Sequence, residues 1–424
     1  MEMNKFNVID IFAGCGGLSE GFKKTGIFNL LAAVEWEKAP AMNLVNRLKT
    51  KSGIENAEER VLIFDIQRTD ELFYGWENDE KYGSNQGLNK LVGSENVDLI
   101  IGGPPCQAYS IAGRIRDEHG MKNDYRNYLF ESYMKVVKKY KPKAFVFENV
   151  QGMLSAKPGD VPVTELIRKE IEEAGYIIVD DLKEHALIDF TEYGVPQKRS
   201  RVIILALNKS LFKQPEKVLL DFYHRVLPIY KEANKRTVRD AIGDLPPLFP
   251  AEQDIKDKGR KYSHVLNKKN VSNHEPRFHS RRDIEIFTEL TTDIEQGYFK
   301  YISTDALKKL YTERTGKTSN VHKYYVLRWD DQSNTIPAHL YKDGLRHIHP
   351  DSRQARSITV REAARLQTFD DDYEFISSAG ENYKMIGNAV PPKFSKKLAL
   401  AVAEILSPEY DESDLRIDRM CNEI

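Results

Sequence analysis

The sequence predicts an α/β fold, an open sheet of buried strands joined to a second, smaller domain. Three observations predict it. Short apolar, β-branched runs recur through the first half, each ending in glycine, proline or an acid. A segment with helical apolar spacing separates two of these runs, as strand–helix alternation requires. After Asn208 the rhythm stops, and a polar stretch rich in His, Arg and Tyr begins.

Taken in order, Asn7-Val8-Ile9-Asp10-Ile11-Phe12 is a strand, followed by Ala13-Gly14-Cys15-Gly16-Gly17 and a helix. Gly14 and Gly16 at that turn let backbone approach a ligand, and the helix start offers free N–H groups. Leu30–Val34 is a second strand that ends at Glu35, about 20 residues past the first glycine, where a nucleotide-binding fold places its ribose-binding acid. Trp36 can lie against an adenine ring or simply pack. Val61–Phe64 is a third strand ending in an acid, Asp65, a natural partner for an adenine amino group.

Val97–Ile101 runs straight into Gly102-Gly103-Pro104-Pro105-Cys106. Paired prolines stiffen the loop, and open α/β sheets carry their chemistry at the carboxyl ends of strands. A lone cysteine is more often a small buried thiol, but the prolines and the polar Gln107 and Ser110 place Cys106 as a candidate nucleophile. A charged, glycine-containing loop over Gly113–Asn123 is expected to act as a mobile flap. Tyr125–Tyr140 has helical spacing and stops at Lys141-Pro142.

Ala144–Phe147 is another buried strand and ends in Glu148. A carboxylate there can face the crevice used by Cys106 and serve as a proton donor; a purely structural acid is the alternative. Tyr176–Val179 and Val202–Ala206 are further strands. Just before the second, period-2 alternation puts Gln197, Arg199 and Arg201 on one face. Arginines so placed can bind a carbonyl or phosphate, or neutralise acids. Thr359 to Glu362 forms a capping box that opens a helix through Leu366. Gly387-Asn388-Ala389-Val390-Pro391-Pro392 leads into an amphipathic helix over Phe394–Ile405, and the acidic tail from Glu409 is expected to be loosely ordered.

At 424 residues the chain is long enough for two domains. With 41% hydrophobic and 30% charged residues it has an ordinary globular composition. No apolar run approaches bilayer length and no signal peptide precedes the first strand, so no membrane is expected as partner and the location expected is cytoplasmic. Cys15, Cys106 and Cys421 are too few and scattered for a disulfide framework or a metal site, so no metal is expected. The net charge of −1 does not advertise nucleic acid, but residues 256–282 hold nine Lys/Arg against Asp257 and Glu275, with His264, His274 and His279 among them. Such a window can track phosphates or be a solvated loop.

With these motifs assembled, the chain resembles the DNA (cytosine-5)-methyltransferase family in its linear motif order. The elements are Asp10 to Gly17, Pro104-Pro105-Cys106-Gln107, Glu148-Asn149-Val150, Gln197 to Arg201, Arg361 to Gln367 and Gly387 to Val390. The resemblance implies a Rossmann-like S-adenosylmethionine-dependent methyltransferase sheet with a smaller target-recognition domain. It implies a catalytic and cofactor domain over 1–208, a target-recognition domain and hinge over 209–384, a returning segment over 385–407 and a tail over 408–424. Cys106 would be the thiolate that attacks carbon 6 of cytosine, Glu148 would hold nitrogen 3 and the exocyclic amine, Arg201 would bind the carbonyl oxygen, and Arg199 would help place the loop. Phe12, Gly14, Gly16, Glu35, Trp36, Asp65, Leu129, Asn388 and Val390 match cofactor contacts for S-adenosyl-L-methionine. Double-stranded DNA is the implied substrate, the target cytosine being flipped from the helix. A separately encoded restriction endonuclease is an implied partner. Tyr109 stands where the family often has Phe, and Asp370 follows Phe369 where proline is common; neither touches the chemistry.

Three other readings fit parts of the chain. A tRNA-directed branch of the family shares the chemistry, but has little in place of the large second domain. A silent DNA-binding protein would not need Cys106, Glu148 and Arg201 together. A nicotinamide dehydrogenase explains the glycine turn and Glu35, but leaves Pro104-Pro105-Cys106 and Gly387-Asn388 without purpose.

Overall fold

The computed structural model describes residues 5–104, 129–157, 161–257, 259–266, 271–342 and 344–412. The chain forms two compact units, one of 1–194, 199–233 and 389–424, the other of 195–198 and 234–388.

Eight strands of the first unit make one sheet: β1 (Phe6–Ile11), β2 (Phe28–Glu35), β3 (Val61–Ile63), β4 (Leu99–Gly102), β5 (Ala144–Val150), β6 (Tyr176–Ile177), β7 (Leu187–Asp189) and β8 (Ser200–Asn208). Their order is β3-β2-β1-β4-β5-β8-β6, with β7 also paired to β8. From β3 to β5 all neighbours are parallel, whereas β8 is antiparallel to β5, β6 and β7. The parallel strands are apolar because both faces are covered: Ile9, Ile11, Ala32, Ala33, Ile100, Ile101, Phe145 and Val146 have no exposed surface. The chain winds outward from β1 through β2 to β3, then resumes on the other side with β4 and β5. The carboxyl edge of β1 and β4 is therefore the switch point, where such sheets leave a crevice. Ile11 pairs with Val34 on one side and Gly102 on the other, so the ends of β1, β2 and β4 lie level.

The helix Gly17–Lys24 packs on the C-terminal helix Pro392–Leu406 at very short range. A Cβ on Gly21 would lie 2.4 Å from Ser395 and Lys396, and one on Gly17 would lie 2.4 Å from the Val390 carbonyl. Two glycines four residues apart share a helix face, so the second pair of this run serves packing.

The expected domain boundary at 208/209 lies upstream of the one observed. Residues 209–233 stay with the first unit because Val218, Leu219, Phe222 and Val226 are fully buried, and the Tyr223 hydroxyl bonds the β8 backbone at Ile203 and Leu205. At the other end the second unit runs to Asn388, not 384. The start of the expected loose tail is also held: Tyr410 donates to Asp221 at 2.7 Å and Glu412 accepts from the Gln214 amide at 2.7 Å. The expected Gly113–Asn123 flap lies outside the described residues.

The second unit carries a hairpin (Pro250–Asp257 and Arg260–His264) and the helices Arg281–Glu295, Thr304–Thr315, Val360–Leu366 and Ala379–Asn388. The first two helices share a core of Ile286, Phe287, Leu290, Leu307, Leu310 and Tyr324. The predicted capping box is present, with Glu362 accepting from the Thr359 amide at 2.7 Å and Thr359 accepting from the Glu362 amide at 3.2 Å. Several described residues of the basic window have protein partners. Arg277 donates to the Leu340 and Tyr341 carbonyls, Arg281 to those of Ala251 and Glu252, and Lys261 pairs with Asp254. His264, His274 and His279 are buried; Lys258, Lys268 and Lys269 lie outside the described residues.

This unit is acid-sensitive by construction. Burial lowers His264 and His347 to about 4, His279 and His349 to about 3, and lowers His274 as well. A histidine lowered on folding contributes stability that is intact above its unfolded value of 6.5 and is lost as pH falls below it, because the unfolded chain then binds more protons. Each such group costs about 1.4 kcal/mol per pH unit well below that value. In the first unit, burial lifts Asp10 and Glu35 to about 7, which has the opposite sign over the same range. Scanning calorimetry at pH 7.5 and at pH 5 is expected to show the second unit's transition falling relative to the first; parallel shifts would contradict it.

Candidate active site

The site is built along the carboxyl edge of the sheet. After β1 the backbone turns sharply: Phe12 has φ 61°, Gly14 56° and Gly16 81°. The glycines adopt this left-handed region freely, whereas Phe12 is held there at a cost on the order of 1 kcal/mol. A Cβ on Gly14 would meet nothing within 4 Å, so the turn borders open space. Glu35, at the end of β2, accepts from the Gly14 amide at 2.9 Å and the Glu37 amide at 2.8 Å. Burial nevertheless lifts its carboxyl to about 7. Trp36 beside it is 43% exposed, far more than a core indole. Asp65 follows β3 and is half-buried, with one oxygen accepting from the Gln67 amide at 3.0 Å. Val390 reaches this neighbourhood through its carbonyl, which lies against Gly17. Leu129 is buried at the start of the helix Leu129–Tyr140. Asn388 is exposed at the end of the second unit.

The second cluster lies at the ends of β4 and β5. Gly102 packs so closely that a Cβ would lie 2.3 Å from the Ile11 carbonyl, and a Cβ on Gly103 would lie 2.7 Å from Glu148 Oε2. Gly103 thus lies directly on the Glu148 carboxylate. Cys106 itself lies outside the described residues. Glu148 pairs with Arg201, Nε to Oε1 at 3.0 Å, both side chains about nine-tenths hidden (14% and 13% exposed). Antiparallel pairing of β8 with β5 sets this geometry, with Ile203 opposite Glu148 and Arg201 opposite Val150.

The expected common face of Gln197, Arg199 and Arg201 does not act as one group. Gln197 precedes the strand and belongs to the second unit, where it donates to Gln367 at 2.5 Å and accepts from the Ile336 amide at 2.9 Å. Arg199 is 3% exposed and donates to the Ala389 carbonyl at 3.1 Å, tying β8 to the returning C-terminal segment. Burial and the neighbouring Arg201 pull Arg199 well below the ordinary arginine value.

Three features escaped the sequence reading. Asp10 is buried inside β1, and burial lifts its carboxyl to about 7 against the pull of Ser19; an acid within an apolar strand was the available signal. Lys81, on a hairpin of Trp76–Asp79 and Gly83–Asn85, holds its ammonium 5.4 Å from the Trp36 ring centre. Cys15 in the glycine turn is 1% exposed, and burial pushes its thiol up to about 12, so it is not a nucleophile at neutral pH.

Comparison with known proteins agrees with this architecture. The family model for C-5 cytosine-specific DNA methylase matches residues 6–404. Type II methyltransferase M.Bpa9945I of Bacillus paralicheniformis is 34% identical over 456 residues, covering 95% of this chain and 100% of the relative. Type II methyltransferase M.DdeI of Desulfomicrobium norvegicum is 30% identical over 431 residues, covering 96% and 90%. The fold matches that of S. pombe Dnmt2 methyltransferase with a TM-score of 0.53 at 15% identity, over 95% of this chain and 99% of that one. The sheet is thus that of an S-adenosyl-L-methionine-dependent methyltransferase. The chain belongs to the C-5 cytosine-specific DNA methylase family, and its activity is that of a DNA (cytosine-5)-methyltransferase. Among the described residues no helix is long and apolar enough to cross a membrane.

Proposed function

We propose that the protein methylates carbon 5 of a cytosine flipped out of double-stranded DNA, within a short recognition sequence, through a covalent adduct on Cys106. The observation that carries the site assignment is the Glu148–Arg201 pair lying against Gly103. Cys106 is three residues beyond Gly103, and three residues span at most about 11 Å.

The groups at the ends of β1 to β3 suit the adenosine part of S-adenosyl-L-methionine. Glu35 is a carboxylate already oriented by two amides, matched to a ribose diol. The exposed Trp36 face suits adenine, and Asp65 suits its amino group. The turn of Phe12, Gly14 and Gly16 offers backbone groups, with open space at Gly14, and Leu129 and Val390 supply apolar walls. The cofactor supplies an electrophilic methyl group.

Cytosine carbon 5 is a weak nucleophile, and Cys106 activates it by bonding its sulfur to carbon 6. Glu148 accepts from the exocyclic amine and relays a proton from solvent to nitrogen 3 as negative charge develops there, while Arg201 donates to the carbonyl oxygen. The salt bridge keeps both aimed before substrate arrives. Arg199 holds the returning segment through the Ala389 carbonyl. Loss of the carbon 5 proton to a solvent base then expels the thiolate.

The second unit supplies target recognition. The type II names of the relatives support a role as the modification half of a restriction–modification system, with a separately encoded endonuclease as partner and the cytoplasm as location. Labelled methyl transfer to plasmid DNA, with tRNA alongside, tests the substrate. Glu148→Gln is expected to lower the single-turnover rate by about 10²- to 10³-fold with cofactor affinity unchanged. Methylation of tRNA but not plasmid, or an unaltered rate in the variant, would overturn the reading.

A further inference from the structure

A lysine that the methyl transfer does not use stands at the ends of β2 and β3. Lys81 lies in the turn of the hairpin Trp76–Asp79 and Gly83–Asn85. Its ammonium sits 5.4 Å from the ring centre of Trp36 and 4.7 Å from that of Tyr82. An exposed cation over an indole gains about 0.5 to 1 kcal/mol at most, too little to account for a hairpin built to hold it there.

The hairpin is fixed to the stretch that carries Asp65. Phe64, the residue before it, stacks on Trp76 with ring centres 3.8 Å apart and meets Tyr82 edge-on at 5.1 Å. Arg68 covers the Phe64 ring at 4.7 Å and pairs with Asp79 at 2.5 Å. Asp79 in turn accepts from the Lys81 and Tyr82 amides, both at 2.9 Å, and the Trp76 indole donates to the Tyr82 carbonyl at 3.3 Å. These contacts fix the backbone at residue 81 relative to Asp65 and leave only the lysine side chain free to adjust.

The two charges are held near each other without being joined. Asp65 accepts from the Gln67 amide through Oδ1, and its Oδ2 takes no hydrogen bond among the described residues. No carboxylate among the described residues pairs with the Lys81 ammonium, although Glu77 and Glu80 share its hairpin. The Tyr82 hydroxyl, and after it the charges of Asp65 and Asp79, raise Lys81 above the ordinary lysine value against its desolvation. The ammonium therefore feels the Asp65 carboxylate but closes no salt bridge on it. A stacking face, an anionic acceptor and a cationic donor thus converge. Adenine presents the matching set: a flat face, an amino donor on carbon 6, and a ring-nitrogen acceptor on either side of it, N1 and N7. A base stacked with offset on Trp36 would have its centre about 4.5 to 7 Å from the indole centre, and the ammonium at 5.4 Å is within reach of that base's rim.

We propose that Lys81 is a cofactor-binding residue that donates to the adenine ring nitrogen beside the amino group accepted by Asp65, the base being seated on Trp36. The proposal rests on the reading of Glu35, Trp36 and Asp65 as the adenosine site and adds to it a residue carried on a separate hairpin. A lysine that only packs its stem on Trp36 and Tyr82 is the alternative.

Titration calorimetry of the full-length protein with S-adenosyl-L-homocysteine tests this without turnover. Lys81→Met keeps the stem and removes the donor; it is expected to weaken binding about tenfold, the loss of one charge-assisted hydrogen bond, with the melting temperature of the unliganded protein unchanged. Lys81→Arg, which keeps a cation, is expected to stay within about threefold of wild type. The atom is located by two analogues of the same ligand in which carbon replaces N1 or N7. On one of them wild type and Lys81→Met should bind equally, because the contact is already gone. Unchanged affinity in Lys81→Met, with wild type binding the ligand, would overturn the proposal alone. A tenfold loss that persists on both analogues would place the effect in stem packing and overturn it too. A wild type that binds no S-adenosyl-L-homocysteine would instead sink the adenosine-site reading beneath it.

Discussion

Cys106→Ala is expected to abolish methyl transfer, by on the order of 10⁴-fold or more, while cofactor affinity stays within error. The loss is large because no group among the described residues of the site is placed to add to carbon 6. Glu148 and Arg201 are committed to each other and to the pyrimidine's polar edge. Cys15 is sealed in the glycine turn with its thiol pushed up to about 12. A duplex with 5-fluorocytosine at the target cannot lose a proton from carbon 5, so the adduct persists and can be seen on a denaturing gel. That band should appear with the wild type and cofactor and be absent from the variant. Residual turnover near the wild-type rate in Cys106→Ala would rule out the covalent route.

Glu362→Ala is expected to cost about 3 to 5 kcal/mol of stability, enough to unfold the second unit at ordinary temperature. Arg356 and Glu362 are each 1% exposed and joined by two bonds of 2.7 Å. Removing the carboxylate leaves the buried Arg356 guanidinium bonded to the neutral oxygens of Gln354 and Ser357, without that counter-charge. It also deletes half of the Thr359 capping box, where Glu362 accepts from the Thr359 amide. Glu362→Gln, which keeps an acceptor for that amide, should fall between the two. Urea unfolding followed by circular dichroism measures the difference. A variant as stable as wild type would show that Arg356 finds another partner.

The elements legible in the sequence were those whose signal is local. Strand β5 opens as an unbroken apolar run up to Glu148, and the Thr359–Glu362 box is four residues long, so neighbours alone specify them. The helices Arg281–Glu295 and Thr304–Thr315 went unread because their apolar residues serve a small core shared with Tyr324 and Ile348, far apart in sequence and diluted by charge. Strand β7 is three residues long and exists only because β8 lies beside it.

The sequence by itself determined the alternation of strands and helices, the acids at strand ends and the order of motifs. Each depends on the spacing of residues along a short stretch of chain. Only the tertiary structure decided which arginine meets Glu148, since Arg201 reaches it through antiparallel pairing of distant strands while Arg199 turns to the Ala389 carbonyl. It alone separated the two uses of the glycines, with Gly14 and Gly16 shaping a turn and Gly17 and Gly21 admitting the C-terminal helix. It also gave Arg277 and Arg281 of the basic window carbonyl partners at Leu340, Tyr341, Ala251 and Glu252, and Lys261 an acidic one in Asp254. The physical reason is common to all three. Partners fixed by packing are chosen by proximity in space, which local composition does not encode.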